Sequence, residues 1–144
     1  MSSTLIRKMN VEDIDSVMQI WLETNLKAHS FIPARYWEKN FNTVKTILPE
    51  TEIYVADQEG QIVGFIGLDN NYIAGIFICE YMQSQSIGKQ LLYIAKNKYP
   101  TLQLHVYKEN LRAVTFYKKQ NFIIKQSRID TNTGKEEFLM EWKK

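Results

Sequence analysis

Residue type and spacing point to chemistry first in the polar segment Gln83-Ser84-Gln85-Ser86, which runs into Ile87-Gly88-Lys89. Before it, Ile76-Phe77-Ile78-Cys79 is a continuous apolar run and reads as a buried strand. After it, Ile87, Leu91, Ile94 and Ala95 recur at helical spacing. A polar loop that opens a helix leaves the first backbone N–H groups without partners. Together with the positive end of the helix dipole they make an anion site, suited to a phosphate or pyrophosphate. Strand–loop–helix turns of this composition also occur with no ligand, so the segment alone does not decide the matter. No GxxxxGKS, GxxxxGKT or GxGxxG occurs, which disfavours a nucleotide P-loop and a dinucleotide fold. Cys79 is the only cysteine, so an internal disulfide is ruled out. Its place in an apolar run reads as packing rather than as a nucleophile.

A second segment adds weight to the first. The run Asn110 to Phe122, NLRAVTFYKKQNF, resembles the Asn-x-x-Ala-x-x-Phe-Tyr-x-x-x-Gly-Phe signature of the GCN5-related N-acetyltransferases. Gln83-x-x-Ser86-x-Gly88 is similar to the acetyl-CoA motif of that family, Gln/Arg-x-x-Gly-x-Gly/Ala. The Asn110 match is the more specific one. Two positions depart from the pattern. Asn121 replaces a Gly, and Asn is the best non-Gly residue for a left-handed turn. Ser86 also replaces a Gly, and its Cβ limits how closely the backbone approaches a phosphate. Its hydroxyl can donate to a phosphate instead, in which case Ser86→Gly would weaken binding.

The resemblance implies an acetyl-CoA-dependent N-acetyltransferase that acts by direct attack of a primary amine of a small molecule or peptide. No cysteine follows the motif as an acyl carrier, which favours a ternary complex over a ping-pong route. It implies cosubstrate binding by Gln83, Ser84, Gln85, Ser86, Ile87, Gly88 and Lys89 at the pyrophosphate. Ile76, Phe77 and Ile78 would pair with the pantetheine arm, with the Ile78 N–H facing the thioester oxygen. Asn110 would cap its helix and also contact the arm, since an amide both donates and accepts. Tyr117 follows Asn110 by two helical turns and is the general acid, a neutral phenol with a proton to give. His105 is the general base, with Glu80, Tyr107 and a water chain as alternatives. No metal is expected. A non-catalytic acetyl-CoA-binding module on the same fold is the rival reading, which Ser86 favours and Asn110 with Tyr117 disfavours.

These residues need elements to hold them. Leu5 to Met9 reads as a strand and Asn10 as the cap of a helix through Lys27. Pro33 opens a second helix that stops before Pro49. Two β-rich runs, Glu52 to Asp57 and Gln61 to Leu68, make a hairpin, and a third strand runs from Tyr72 to Cys79. A helix to Tyr99, a strand Leu102 to Val106, a helix from Asn110 and a hairpin of Phe122 to Asp130 with Lys135 to Trp142 complete the order. The fold class is α/β (α+β): a mixed, mainly antiparallel seven-stranded sheet with helices on both faces. By resemblance, strands 4 and 5 splay apart and Trp21, Phe31, Tyr36 and Trp37 line the acceptor side; otherwise these rings seal the edge of the core. His29 reads as a solvated loop residue.

At 144 residues the chain is one domain, 1–144. A net charge of +2 is too small to argue for nucleic acid or a membrane, and no basic stripe interleaves with aromatics. No signal peptide or 18-residue apolar run is present, so a cytoplasmic protein, monomer or homodimer, is expected. Proton energetics favour an α-amine over a lysine side chain as acceptor: transfer to a histidine is uphill by about 2 kcal/mol from the former and about 5 from the latter.

Overall fold

The computed structural model describes residues 4–83 and 86–144. The sheet has the strand order β1-β2-β3-β4-β5-β7-β6. Its strands are β1 (Thr4–Lys8), β2 (Glu52–Gln58), β3 (Gln61–Asp69), β4 (Tyr72–Ile78), β5 (Thr101–Tyr107), β6 (Ile123–Asp130) and β7 (Lys135–Lys143). All neighbours are antiparallel except β4 and β5. The helices are α1 (Ile14–Ala28), α2 (Ala34–Ile47), α3 (Ile87–Lys98) and α4 (Leu111–Lys119). Short 3₁₀ turns at Val11–Asp13 and Leu48–Glu50 trim the helix start and stop read from sequence, and a third, Glu80–Met82, follows β4.

Each face of the sheet buries one layer of side chains. On one face Leu91, Leu92 and Ala95 of α3 and Val114 and Tyr117 of α4 pack on Ile66, Ile73, Leu104 and Met140. On the other, Val17, Met18 and Trp21 of α1 and Trp37 of α2 pack on Ile53, Val55 and Phe65. Asn10 leads into α1 as expected: its N–H donates to Asp13 Oδ2 at 2.9 Å, and Arg7 clamps the same carboxylate through Nη1 and Nη2 at 2.7 and 3.1 Å. That pair ties the end of β1 to the start of α1. It holds the Asp13 carboxyl below the usual carboxylate range, the Arg7 hydrogen bond being the main cause.

The pairing of β4 with β5 is what opens a site. It is confined to Tyr72↔Gln103 and Ile73↔Leu104, at the beginnings of the two strands. Beyond those pairs the strands part, while β3 stays paired with β4 to Ile78 and β7 stays paired along all of β5. The expected splay is therefore present. One expectation is corrected by it. Ile76, Phe77, Ile78 and Cys79 are half-buried rather than buried, and the strand stops at Ile78. Their apolar character suits an edge that faces a gap, while the fully buried run of this sheet is in β3.

Candidate active site

The β3–β4 register fixes where the open backbone groups of β4 point. Cys79 N–H donates to Val63 O at 2.9 Å, so Val63 and Cys79 form a hydrogen-bonded pair. In an antiparallel ladder such pairs alternate with non-bonded ones. Gly64↔Ile78 and Ile66↔Ile76 are then the non-bonded pairs. The N–H and C=O groups of Ile76 and Ile78 consequently turn away from β3, towards the gap before β5. The Ile78 carbonyl accepts from Gln83 Nε2 at 3.0 Å, which folds the following loop back over the end of the strand. The Ile76 groups and the Ile78 N–H have no ladder partner among the described residues. An extended chain carrying amides fits this edge, as a further strand would.

At the mouth of the gap, α3 begins at Ile87 with Ser86 as its N-cap residue. Ser86 sits at φ 62°, in the left-handed region that favours glycine. Its side chain does not cap the helix; Gln90 Nε2 lies 3.3 Å from its Oγ, and Gln90 N–H closes the first helical bond to Ser86 O at 3.0 Å. The doubt raised by Ser86 therefore has a backbone origin as well as a steric one. Asn121 adopts φ 72°, as its residue type anticipates. Gly88 lies against α4: a Cβ there would come within 3.2 Å of the Phe116 ring, which would have to give by a few tenths of an ångström. The two motif helices are thus in contact. Lys89 is exposed on the first turn of α3. Ser84 and Gln85, expected to belong to the anion loop, lie outside the described residues.

Asn110 is the N-cap of α4. Its Oδ1 accepts from Ala113 N–H at 3.3 Å. Its Nδ2 lies 3.2 Å from His29 Nε2. Tyr117 is buried at 7% exposure, beside Phe116 and Phe122, with no hydrogen bond to its hydroxyl among the described residues. Burial pushes its phenol well above its ordinary pKa, so it holds its proton at neutral pH.

His105 is on the other face. In β5, Leu102, Leu104 and Val106 point into the layer that holds Tyr117, so Gln103, His105 and Tyr107 point away from it. His105 Nδ1 is 2.7 Å from the Tyr72 hydroxyl. Burial, then the Arg128 charge, lowers the His105 pKa, while Glu137 and Asp130 act in the opposite sense. Tyr107 donates to Asp130 and is pushed well above the ordinary tyrosine value, chiefly by burial. Glu80 is exposed and paired with Lys27 at 2.5 Å. The gap between β4 and β5 thus has a phenol on one face and an imidazole on the other. A thioester held between them could receive a proton from one side and lose one, through the attacking amine, to the other.

Two residues near the site were not anticipated. Tyr72, at the apex of the splay, is the hydrogen-bond partner of His105. His29 is not the solvated loop residue its surroundings in sequence suggest. It stacks on Trp37 at 5.2 Å, meets Phe31 and Tyr107 edge-on, and burial pushes its pKa down to about 4. The aromatic signal in Phe31, Tyr36 and Trp37 pointed to this region, but the polar contacts at its centre link residues far apart in sequence. Of the expected acceptor-side rings, Trp21 and Trp37 are buried, and Phe31 and Tyr36 are half-buried.

Comparison with known proteins bears on the family and the fold. The family model described as an acetyltransferase (GNAT) domain matches residues 22–143. The peptidyl-lysine N-acetyltransferase YiaC of Escherichia coli K12 is 27% identical over 140 residues, 96% of each chain. The solution structure of apo YjaB from Escherichia coli matches with a TM-score of 0.87 at 26% identity over 97% of each chain. The PaiA N-acetyltransferase of Thermoplasma acidophilum, solved with coenzyme A, matches with a TM-score of 0.81 over 99% of each chain; at 20% identity this shows the fold alone.

Proposed function

The chain belongs to the GNAT acetyltransferase family and is an acetyl-CoA-dependent N-acetyltransferase, and from that premise we propose that its acceptor is the ε-amine of a lysine in a protein or peptide. The observation that carries this reading is the similarity to YiaC along 96% of each chain. The proposal departs from the α-amine preference expected from His105 alone. No helix among the described residues is long and apolar enough to cross a membrane, and the proposed site of action is the cytoplasm, where acetyl-CoA and unmodified protein lysines occur together.

The proposed roles follow from position. The open edge at Ile76 and Ile78 takes the pantetheine arm, and the start of α3 with Lys89 takes the phosphates. Acetyl-CoA supplies an acyl carbon activated by its thioester. The amine nitrogen forms a bond to that carbon and the C–S bond breaks. Tyr117 gives its proton to the leaving sulfur and is reprotonated from water. The Ile78 N–H faces the carbonyl oxygen as negative charge develops there. His105 Nε2 takes the proton that the attacking nitrogen loses. For that, Nδ1 must carry hydrogen and donate it to the Tyr72 oxygen, which as a hydroxyl can accept it. Tyr107 and Glu80 are weaker candidates for this role, because one donates to Asp130 and the other is exposed in an ion pair.

The test is a competition at saturating acetyl-CoA. One peptide has a blocked N-terminus and one lysine; the other has a free N-terminus and no lysine. The expected result is a higher kcat/KM for the lysine peptide, read as CoA release and acetyl mass. Turnover of the free N-terminus alone would overturn the acceptor assignment.

A further inference from the structure

A single chain of side-chain hydrogen bonds crosses from α1 to α4 at the mouth of the gap. Asn25 is 3% exposed, and its Nδ2 donates to Trp21 O at 2.9 Å. That bond leaves Asn25 Oδ1 as the acceptor facing His29 Nδ1 at 3.1 Å. At the other end, Asn110 Oδ1 is used by the Ala113 N–H, which turns Nδ2 towards His29 Nε2. Each amide has one backbone anchor, which sets which of its ends donates and which accepts, and those ends together set the tautomer of the imidazole. Nδ1 carries the hydrogen and donates to Asn25; Nε2 keeps its lone pair and accepts from Asn110. Stacking on Trp37 and edge contacts with Phe31 and Tyr107 hold the ring in that plane.

An amide nitrogen carries two hydrogens. One Asn110 hydrogen is committed to His29. The other is left to donate, from the third residue beyond β5, at the edge of the gap. We propose that His29 is a positioning residue for the cosubstrate: it holds the Asn110 amide so that its second N–H is presented to the pantetheine arm of acetyl-CoA. This rests on the proposed contact of Asn110 with that arm. Because His29 lies at the α1–α2 junction, this contact ties that junction to the cap of α4. An amide released by His29 can rotate or turn to water, and the cosubstrate must then order it again on binding.

Four forms of the full chain test this: wild type, His29→Phe, His29→Gln and Asn110→Ala, together with the double variant of His29→Phe and Asn110→Ala. Phe keeps the ring stack and removes the acceptor; Gln keeps an acceptor oxygen. The readouts are the CoA Kd by calorimetry and the KM for acetyl-CoA against kcat. The expected result is a rise of about 10-fold in Kd and KM for His29→Phe, a smaller change in kcat, and recovery of most of the affinity in His29→Gln. The double variant binds no more weakly than Asn110→Ala, because both changes remove the same contact. A packing role alone would lower the melting temperature of both His29 variants without separating Phe from Gln in Kd. Equal affinities for the two variants, or independent effects in the double variant, overturn the proposal. If Asn110→Ala itself leaves Kd unchanged, the Asn110 contact fails and the proposal falls with it. If Asn110→Ala weakens binding while His29→Phe does not, the contact stands and only the role of His29 is lost.

Discussion

The fixed tautomer of His29 has a consequence for stability in acid. Burial holds its pKa at about 4 in the folded chain, against an ordinary value of 6.5. The groups packed on it are Asn25, Phe31, Trp37, Tyr107 and Asn110, none of them charged at neutral pH. Below pH 6.5 the unfolded chain binds a proton at this site and the folded chain does not, until pH falls to about 4. Stability is therefore complete above the unfolded value and is lost as pH falls through the window between the two. At about 1.4 kcal/mol for each tenfold change in proton affinity, the full loss is about 3 kcal/mol. Of this, about 2 kcal/mol should be lost between pH 7 and pH 5. The measurement is urea unfolding at both pH values for wild type and His29→Gln, which cannot titrate. His105 is also depressed and contributes in the same direction, but both proteins carry it, so the difference between them isolates His29. The wild type should lose about 2 kcal/mol more than the variant across this interval. An identical loss in the two proteins would show that the ring is solvated or shares a proton with its neighbours, and the assigned hydrogen-bond direction would be wrong.

Two further substitutions probe the proposed machinery. Tyr117→Phe keeps the packing against Phe116 and Phe122 and removes the proton; kcat should fall about 10²- to 10⁴-fold with the CoA Kd unchanged, and single-turnover rates equal to wild type would assign the proton to water. Ser86→Gly relieves a non-glycine residue of a left-handed conformation, so the melting temperature should rise by an amount equivalent to up to about 1 kcal/mol. Calorimetry with CoA on the same variant decides whether the serine hydroxyl contributes to phosphate binding: weaker binding despite higher stability would mean that it does.

The fold was legible because local pattern and global order agree. The alternation in β5, the helical spacing after Ser86 and the hairpin at Thr131-Asn132-Thr133-Gly134 each dictate an element, and those elements assemble in one sheet. Asn121 was legible down to its backbone angle, because few residue types tolerate that conformation. The partial exposure of Ile76 to Cys79 was not. An apolar run has the same composition whether a neighbouring strand covers it or parts from it, and the parting depends on how far β4 stays registered with β5. His29 was hidden for a related reason. Its partner Asn110 is 81 positions away, and each half of the contact looks ordinary alone: a histidine in a turn and an asparagine at a helix start. The direction of His105 could be read from strand alternation, but its partner Tyr72 could not.

Taken as a free ammonium, a lysine acceptor asks too much of a histidine whose pKa is lowered, since proton transfer from an alkylammonium near 10.4 to imidazole is uphill by about 5 kcal/mol. That comparison describes the wrong moment. In the proposed reaction only the neutral fraction of the amine attacks, and the nitrogen becomes acidic once it has bonded to the acyl carbon. A base of modest strength then suffices, because the proton leaves a cationic, acyl-bearing nitrogen rather than a free ammonium. What His105 must be at that instant is neutral, with Nε2 unprotonated. Burial and the Arg128 charge lower its pKa and favour this state, while Tyr72 supplies the partner that Nδ1 requires. Burial serves Tyr117 in the complementary way, since the same loss of solvation keeps the phenol protonated until the thiolate departs. In the proposed reaction the two faces of the β4–β5 gap would thus use one physical effect, removal of water, to hold a base empty and an acid full.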